Sequence, residues 1–149
     1  MLTFIFMELS VDNEQQAAVN ILFSSVMQPS GTISDQQIEQ LSKAVVLCSK
    51  FRGTDLNKMT RQAILLQSQH KSDEIIEHCA RLVSEPFRET LFAMVSEVML
   101  QDGEINDDKT KTFALLALHL QITMERMKMI LATYLIRNKW NIQVMDAAE

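Results

Sequence analysis

Apolar positions recur every three to four residues along most of this 149-residue chain, and clusters of turn-forming residues separate the recurring stretches. That period is typical of amphipathic helices, and the strict alternation of a half-buried strand is absent from the sequence. The pattern therefore predicts an all-α protein of about seven helices. These helices are expected to begin near Asp12, Ser34, Thr54, Ser72, Ser84, Asn106 and Thr123.

Local signals support several of these starts. Ser34 and Gln37 have the spacing of a capping box, in which the side chain of each residue bonds the backbone amide of the other. Thr54 and Thr123 are predicted to cap the third and seventh helices, because a threonine hydroxyl can accept from a first-turn amide. Pro86 suits the first turn of the fifth helix, where no partner exists for the missing amide hydrogen.

One face of each helix is predicted to be buried. The run 113–118 is apolar almost all round, so the sixth helix is expected to be covered on most sides. Met124 and Met129 fall off the inward face of the seventh helix and are candidates for an exposed patch that contacts another protein or a second copy. The tail, which carries Trp140, is expected to pack back. The predicted core includes Leu41, Val45, Met59, Ala63, Ile64, Leu66, Ile75, Ile76, Cys79, Leu82, Val83, Phe87, Leu91, Met94, Val95, Val98, Met99, Met127, Ile130, Leu131, Tyr134 and Leu135.

A short phrase occurs twice in the chain. Residues 26–35 align without a gap on residues 98–107, with Val, Met, Gly, Ile and Asp at matching places. Self-similarity at a fixed spacing is typical of a duplicated supersecondary unit. We predict a single helical domain over residues 1–149, built from two similar three-helix units at about 12–70 and 86–137. Gly31 and Gly103 occupy the same place in the phrase, where a left-handed conformation is expected after a helix.

Composition and charge exclude several classes of protein. The formal net charge is −5, whereas nucleic-acid binders normally carry a basic patch, so we expect no nucleic-acid partner. No apolar stretch reaches the ~20 residues of a membrane span, which predicts no membrane insertion and a cytoplasmic location. Cys48 and Cys79 lack the spacing of a metal or disulfide framework and are expected to be buried, inert thiols. Met1 and Met7 both remain candidate start positions.

Acidic side chains concentrate in the second glycine turn, at Asp102, Glu104, Asp107 and Asp108. In the interpretation we prefer they are structural: Gly103 reverses the chain, and the acids cap the sixth helix and complement its dipole. In the alternative their oxygens hold a divalent cation, since hard ions such as Ca²⁺ favour carboxylates. An EF-hand fits poorly, because aligning Gly103 with its sixth position places Val98 and Lys109 where ligands are required.

The segment 95–108, the apolar helix after it and the Leu-Gln-Ile-Thr of residues 120–123 resemble the bacterial tellurite-resistance TerB family. They are also similar to the TerB-like domain of a membrane-anchored DnaJ-type co-chaperone. The resemblance implies a compact all-helical cytoplasmic protein of stress-response systems, with acidic turns considered as cation sites and no established enzymatic activity. Two departures count against a symmetric pair of metal sites: Ser30 stands where the family has Asp, and Lys109 where Glu is common.

Three functions follow from these observations. The preferred one is a non-enzymatic, TerB-like protein-interaction module of a bacterial stress or tellurite-resistance response. Whether this module also binds a divalent cation at the turn 102–108 is left open. The alternatives are a metal-dependent enzyme that uses the same acidic turn, and a homodimeric scaffold that uses the methionine-bearing surface. No residue is predicted to be catalytic or to bind an organic cofactor, because the chain contains none of the familiar nucleophile, zinc-protease, phosphate or dinucleotide motifs.

Overall fold

The computed structural model describes residues 9, 11, 13–27 and 31–141. Within those ranges the chain forms seven α-helices, one short 3₁₀ turn at Ser49–Phe51 and no strand, which confirms the all-α prediction. The predicted ends of the first helix, Asp12 and Gln28, lie outside the described residues. The helices are α1 (Glu14–Met27), α2 (Asp35–Leu47), α3 (Leu56–Gln69), α4 (Ser72–Ala80), α5 (Glu85–Met99), α6 (Asp107–Leu120) and α7 (Met124–Asn138).

Helix α1 is the centre of the fold. Every residue from Gln16 to Val26 is buried, because α1 packs against α3, α4 and α5 and also contacts α2 and α6. The buried apolar side chains of all seven helices form one continuous core. Aromatic pairs lie within it: the rings of Phe92 and Phe113 have centroids 6.0 Å apart, and Phe51 meets Phe87 edge to face at 6.2 Å. Such geometry adds to the stability that burial alone provides.

A small polar network joins α1 to α3 and α4 inside this core. The side-chain amide of Gln16 donates to Asn20 at 2.8 Å and to the carbonyl oxygen of Met59 at 3.1 Å. Asn20 in turn donates to the thiol of Cys79 at 3.7 Å. Burial raises the pKa of Cys79 to about 11, although the contact with Asn20 opposes the shift. Cys79 is thus the buried, inert thiol that was predicted, whereas Cys48 is only half-buried.

Glu14 fastens the first turn of α1 to two other elements. Its carboxylate accepts from the amide of Ser84 at 3.0 Å and forms an ion pair with Lys50. Burial acts to raise the pKa of Glu14, but the hydrogen bonds from Lys50 and Ser84 and the charge of Lys50 outweigh it, so that the pKa lies below its ordinary value. The start of α5 and the 3₁₀ turn are thereby held beside α1.

The helix starts follow the sequence closely, with one exception. The capping box of Ser34 and Gln37 is present, and Thr123 caps α7 by accepting from the amide of Arg126. Thr54 was wrongly predicted as a cap. The N-cap of α3 is Asp55, whose carboxylate accepts from the amide of Lys58, while the Thr54 hydroxyl donates backwards to the carbonyl oxygen of Phe51.

Some predicted core positions lie at the surface. Ile64 and Leu82 were expected to face inward but are exposed, because the core covers only a narrow part of α3 and of the turn after α4. Helix α6 is less covered than its composition suggested: Phe113, Leu116 and Ala117 are buried, but Leu118 is exposed. Trp140 does not pack back and is 87% exposed. The rest of the tail, residues 142–149, lies outside the described residues.

Candidate functional site

Lys109 closes the acidic turn. Its ammonium group lies 3.1 and 3.2 Å from the two carboxylate oxygens of Asp102 and 3.0 Å from the carbonyl oxygen of Glu104. The same Asp102 carboxylate also accepts from the Glu104 amide at 3.0 Å. The Lys109 side chain is only 16% exposed, against 43% for Asp102. A cation supplied by the chain itself therefore already neutralises the carboxylate at the centre of the predicted ion site.

The four acids of the predicted cation site share a turn without converging on one point. Asp107 and Asp108 are exposed in the first turn of α6, where negative charge complements the helix dipole. Asn106 caps that helix, since its side-chain oxygen accepts from the amide of Lys109 at 2.8 Å. Among the described residues, no three His, Cys, Asp or Glu side chains are grouped so that they could hold a metal ion. The geometry favours the structural interpretation of the turn, and the cation site stays a prediction.

The turn also packs against the end of α7, a contact that no pattern in the sequence indicates. The buried side chain of Asn138 donates to the carbonyl oxygen of Leu100 at 2.9 Å. Asn141 donates to the carbonyl oxygen of Gln101 at 2.9 Å and to the side-chain oxygen of Asn138 at 3.0 Å. Asn141 thereby gives the Gln101 carbonyl oxygen a donor, and Asn138 gives the Leu100 carbonyl oxygen a second one beside the Gly103 amide at 2.9 Å.

A shallow cleft separates the two repeated turns. It holds about 200 Å³, below the range of roughly 300–1,000 Å³ that is usual for small-molecule sites. Gln37 of the first capping box lines one side, and Asp102 with Lys109 lines the other. The remaining lining is mainly apolar and comes from Val26, Val98, Met99 and Gln101. The cleft brings the two turns to the same end of the molecule, but it offers little room for a substrate.

The most distinctive surface lies on α7. Three residues on its outer side and one in the turn that follows it form what we call the outer stripe: Met129, Ala132, Ile136 and Trp140. Met129 is 55% exposed, Ile136 is 75% exposed, and Ala132 is exposed as well. At 3.6 residues per turn Met129, Ala132 and Ile136 lie within an arc of about 60°. Met127, Leu131 and Asn138, the buried residues of α7, lie on the opposite side of the helix. Helix α7 thus has a second apolar face that points into solvent.

Polar contacts hold the other end of α7 in place. Arg126 donates two hydrogen bonds of 2.8 Å to the carboxylate of Glu89 on α5. The hydrogen bonds from Arg126 lower the pKa of Glu89, with a smaller opposing effect of desolvation and further help from the arginine charge. Arg88 donates to the side chain of Gln121, the left-handed residue that ends α6. The outer stripe is therefore carried by a helix that is fixed at both ends.

Comparisons with protein-family models, curated protein sequences and solved structures found no match. The resemblance to the TerB family accordingly remains a prediction made from the residues of the second turn. None of the helices in the described ranges is long and apolar enough to cross a lipid bilayer.

Proposed function

We propose that this chain is a non-enzymatic, TerB-like protein-interaction module of a bacterial stress response, acting in the cytoplasm, and that the outer stripe of α7 is its binding surface. The observation that carries the proposal is the exposure of Met129 and Ile136 along one side of α7 and of Trp140 in the turn that follows it. Isolated exposed apolar residues are common on proteins, but an aligned set that includes a tryptophan is typical of a protein contact.

The energetics of burial support this role. Covering an exposed isoleucine or tryptophan side chain contributes roughly 1.5–3 kcal/mol each, of which part is offset by the entropy of association. Tryptophan is enriched among the residues that dominate interface energies. The enzyme alternative has less support, because Asp102 is paired with Lys109 and the adjacent cleft holds only about 200 Å³.

The proposal is tested by quantitative capture from native lysate on the immobilised protein. The wild type is compared with Ile136→Glu, which places a charge in the middle of the outer stripe, and with Trp140→Ala. The matched control is Gln62→Glu, which introduces the same side chain at an exposed position of α3. We expect both stripe variants to lose the captured proteins at least tenfold, as a loss of roughly 1.4 kcal/mol or more predicts.

The control separates a surface effect from a general one. Gln62→Glu is expected to retain the captured proteins at the wild-type level. Equal capture by the wild type and both stripe variants would show that α7 is not the binding surface. Loss in the control as well would point to charge-dependent adsorption and would remove the support for the proposal.

A further inference from the structure

We propose that the outer stripe of α7 binds the same stripe of a second copy of this chain, with the two helices antiparallel. This inference rests on the proposed interaction role of that surface and names its partner. Its basis is the distribution of charge along the stripe, which is opposite in sign at the two ends.

The stripe begins with a carboxylate and ends with an ammonium group. Glu125 lies one turn before Met129, and Lys139 lies one turn after Ile136, and both are exposed. At about 100° per residue, Glu125 falls within the arc of the stripe and Lys139 at its edge. Lys139 itself follows the last residue of α7 and has right-handed helical angles, with its amide bonded to the carbonyl oxygen of Ile136 three residues back. Lys128 and Arg137 lie outside that arc, on opposite flanks.

The two charges cannot neutralise each other within one chain. Fourteen positions separate them, which corresponds to about 21 Å along the helix. In an antiparallel pair, however, a two-fold axis at Ala132 places Glu125 of each copy beside Lys139 of the other. Met129 of each copy is then level with position 135 of the other, one residue from Ile136. A parallel pair would instead place like charges together, and repulsion of that kind selects against the wrong arrangement.

Size and side-chain volume agree with a weak symmetric contact. Ala132 is the smallest side chain of the stripe and lies at its middle, where two crossing helices approach most closely. The stripe offers four residues per copy, far fewer than the roughly 20–30 residues a side of a stable complex that buries 1,200–2,000 Å². We therefore expect a dissociation constant of about 10–100 µM, so that dimers form only in concentrated solution.

Sedimentation equilibrium of the full chain tests the existence of the dimer. Between about 1 µM and 500 µM the average mass should rise from that of a monomer towards that of a dimer. Ile136→Glu should abolish the rise, and Gln62→Glu should leave it unchanged. Both positions are exposed, and far-ultraviolet circular dichroism checks that each variant keeps its helices.

Charge reversal tests the orientation. Glu125→Lys alone and Lys139→Glu alone should each weaken the dimer by about tenfold or more, because each creates two like-charged contacts. An equimolar mixture of the two variants should form a mixed dimer near wild-type strength, since both contacts then join opposite charges. In a parallel dimer the single reversals would not weaken association, and that result would overturn the proposal.

The remaining outcomes are equally decisive. A wild type that stays monomeric at all concentrations overturns the second-copy inference. If the stripe variants nevertheless lose proteins captured from lysate, the proposed function stands and the partner is a different protein. If they lose nothing, both proposals fail. If the full chain stays monomeric but a chain without residues 142–149 dimerises, the stripe of the full chain is occupied by that segment. This result would also overturn the inference.

Discussion

The two glycine turns of the repeated phrase share a backbone conformation but differ in what surrounds them. Gly31 has a φ of +73° and Gly103 one of +74°, so both adopt the left-handed conformation that the sequence predicted. A side chain at Gly31 would meet open space. At Gly103, however, a Cβ atom would lie 2.5 Å from the backbone carbonyl oxygen of Asn138.

The difference shows that one sequence signal can serve two purposes. In the first turn glycine is needed for its conformation alone. In the second it also lets the chain lie directly against the end of α7, where Asn138 bonds to Leu100. The helix packing differs as well: α1 packs far more extensively against α3 than against α2, whereas α5 packs against α6 and α7 to similar extents. Two equivalent three-helix units therefore remain a prediction, supported by matching glycine conformations and not by matching surroundings.

Replacing each glycine by alanine should produce the largest contrast. Gly103→Ala adds a methyl group that cannot fit unless the turn separates from α7, and we expect a loss of at least about 3 kcal/mol in the free energy of unfolding. Gly31→Ala incurs only the conformational penalty, about 1 kcal/mol. Urea denaturation followed by circular dichroism measures both values.

Equal losses of stability in Gly103→Ala and Gly31→Ala would contradict this expectation. They would mean that the second turn is not packed against α7, and that the two turns do not differ in their surroundings. A slope of unfolding that stays the same in both variants is needed for the comparison, because a changed slope reports a different denatured state or an intermediate.

Asn138 tests the same contact from the other side. Asn138→Ala removes two hydrogen bonds, the one to the Leu100 carbonyl oxygen and the one from Asn141, while the Gly103 amide still donates to Leu100; the loss should be about 1.5 kcal/mol. The gain in helix propensity from alanine reduces the loss by a few tenths of a kcal/mol. Asn57→Ala, at an exposed position of α3, is the matched control and should change stability by less than about 0.5 kcal/mol. A loss no larger than the control's would show that water replaces the Asn138 donor.

Signals that act within a few residues could be predicted from the sequence. The Ser34–Gln37 box, the Thr123 cap and the left-handed glycines each depend on atoms three or four positions apart, and all are present. The bond from Asn138 to Leu100 joins residues 38 positions apart. Nothing in the pattern of apolar and polar residues indicates such a pair, because a buried asparagine and an exposed one look alike in sequence.

The candidate binding surface was only partly predictable for a related reason. Met124 and Met129 were expected to be exposed because they depart from the inward face of α7, and both are exposed. Ile136 and Trp140 were missed. Periodicity identifies an apolar face but does not say whether neighbouring helices cover it. Helix α7 is peripheral and has two apolar faces, of which one is buried and the other is exposed. The same limitation explains the exposure of Leu118.

Lys109 should contribute a smaller but measurable amount to the second turn. Lys109→Met keeps an apolar stem of four atoms and removes the ammonium group with its contacts to Asp102 and Glu104, with an expected loss of about 1 kcal/mol. The control is Lys43→Met: the partner Glu39 lies 3.4 Å away, both side chains of this pair are exposed, and the loss should be below about 0.5 kcal/mol. Indistinguishable losses would mean that the half-buried setting of Lys109 adds nothing.

Titration of the protein with Ca²⁺, Mg²⁺, Mn²⁺ and Zn²⁺ should show no heat of binding. A divalent ion at the second turn would have to displace the Lys109 ammonium group, which lies 3.1 and 3.2 Å from the oxygens of Asp102. Because the ammonium group neutralises the Asp102 carboxylate, that carboxylate attracts a divalent ion less strongly. Isothermal calorimetry of the wild type is therefore expected to give only the heat of dilution. A saturable heat that disappears in both Asp102→Asn and Asp107→Asn would establish the cation site instead, and it would show that the lysine is a movable occupant and not a fixed part of the turn.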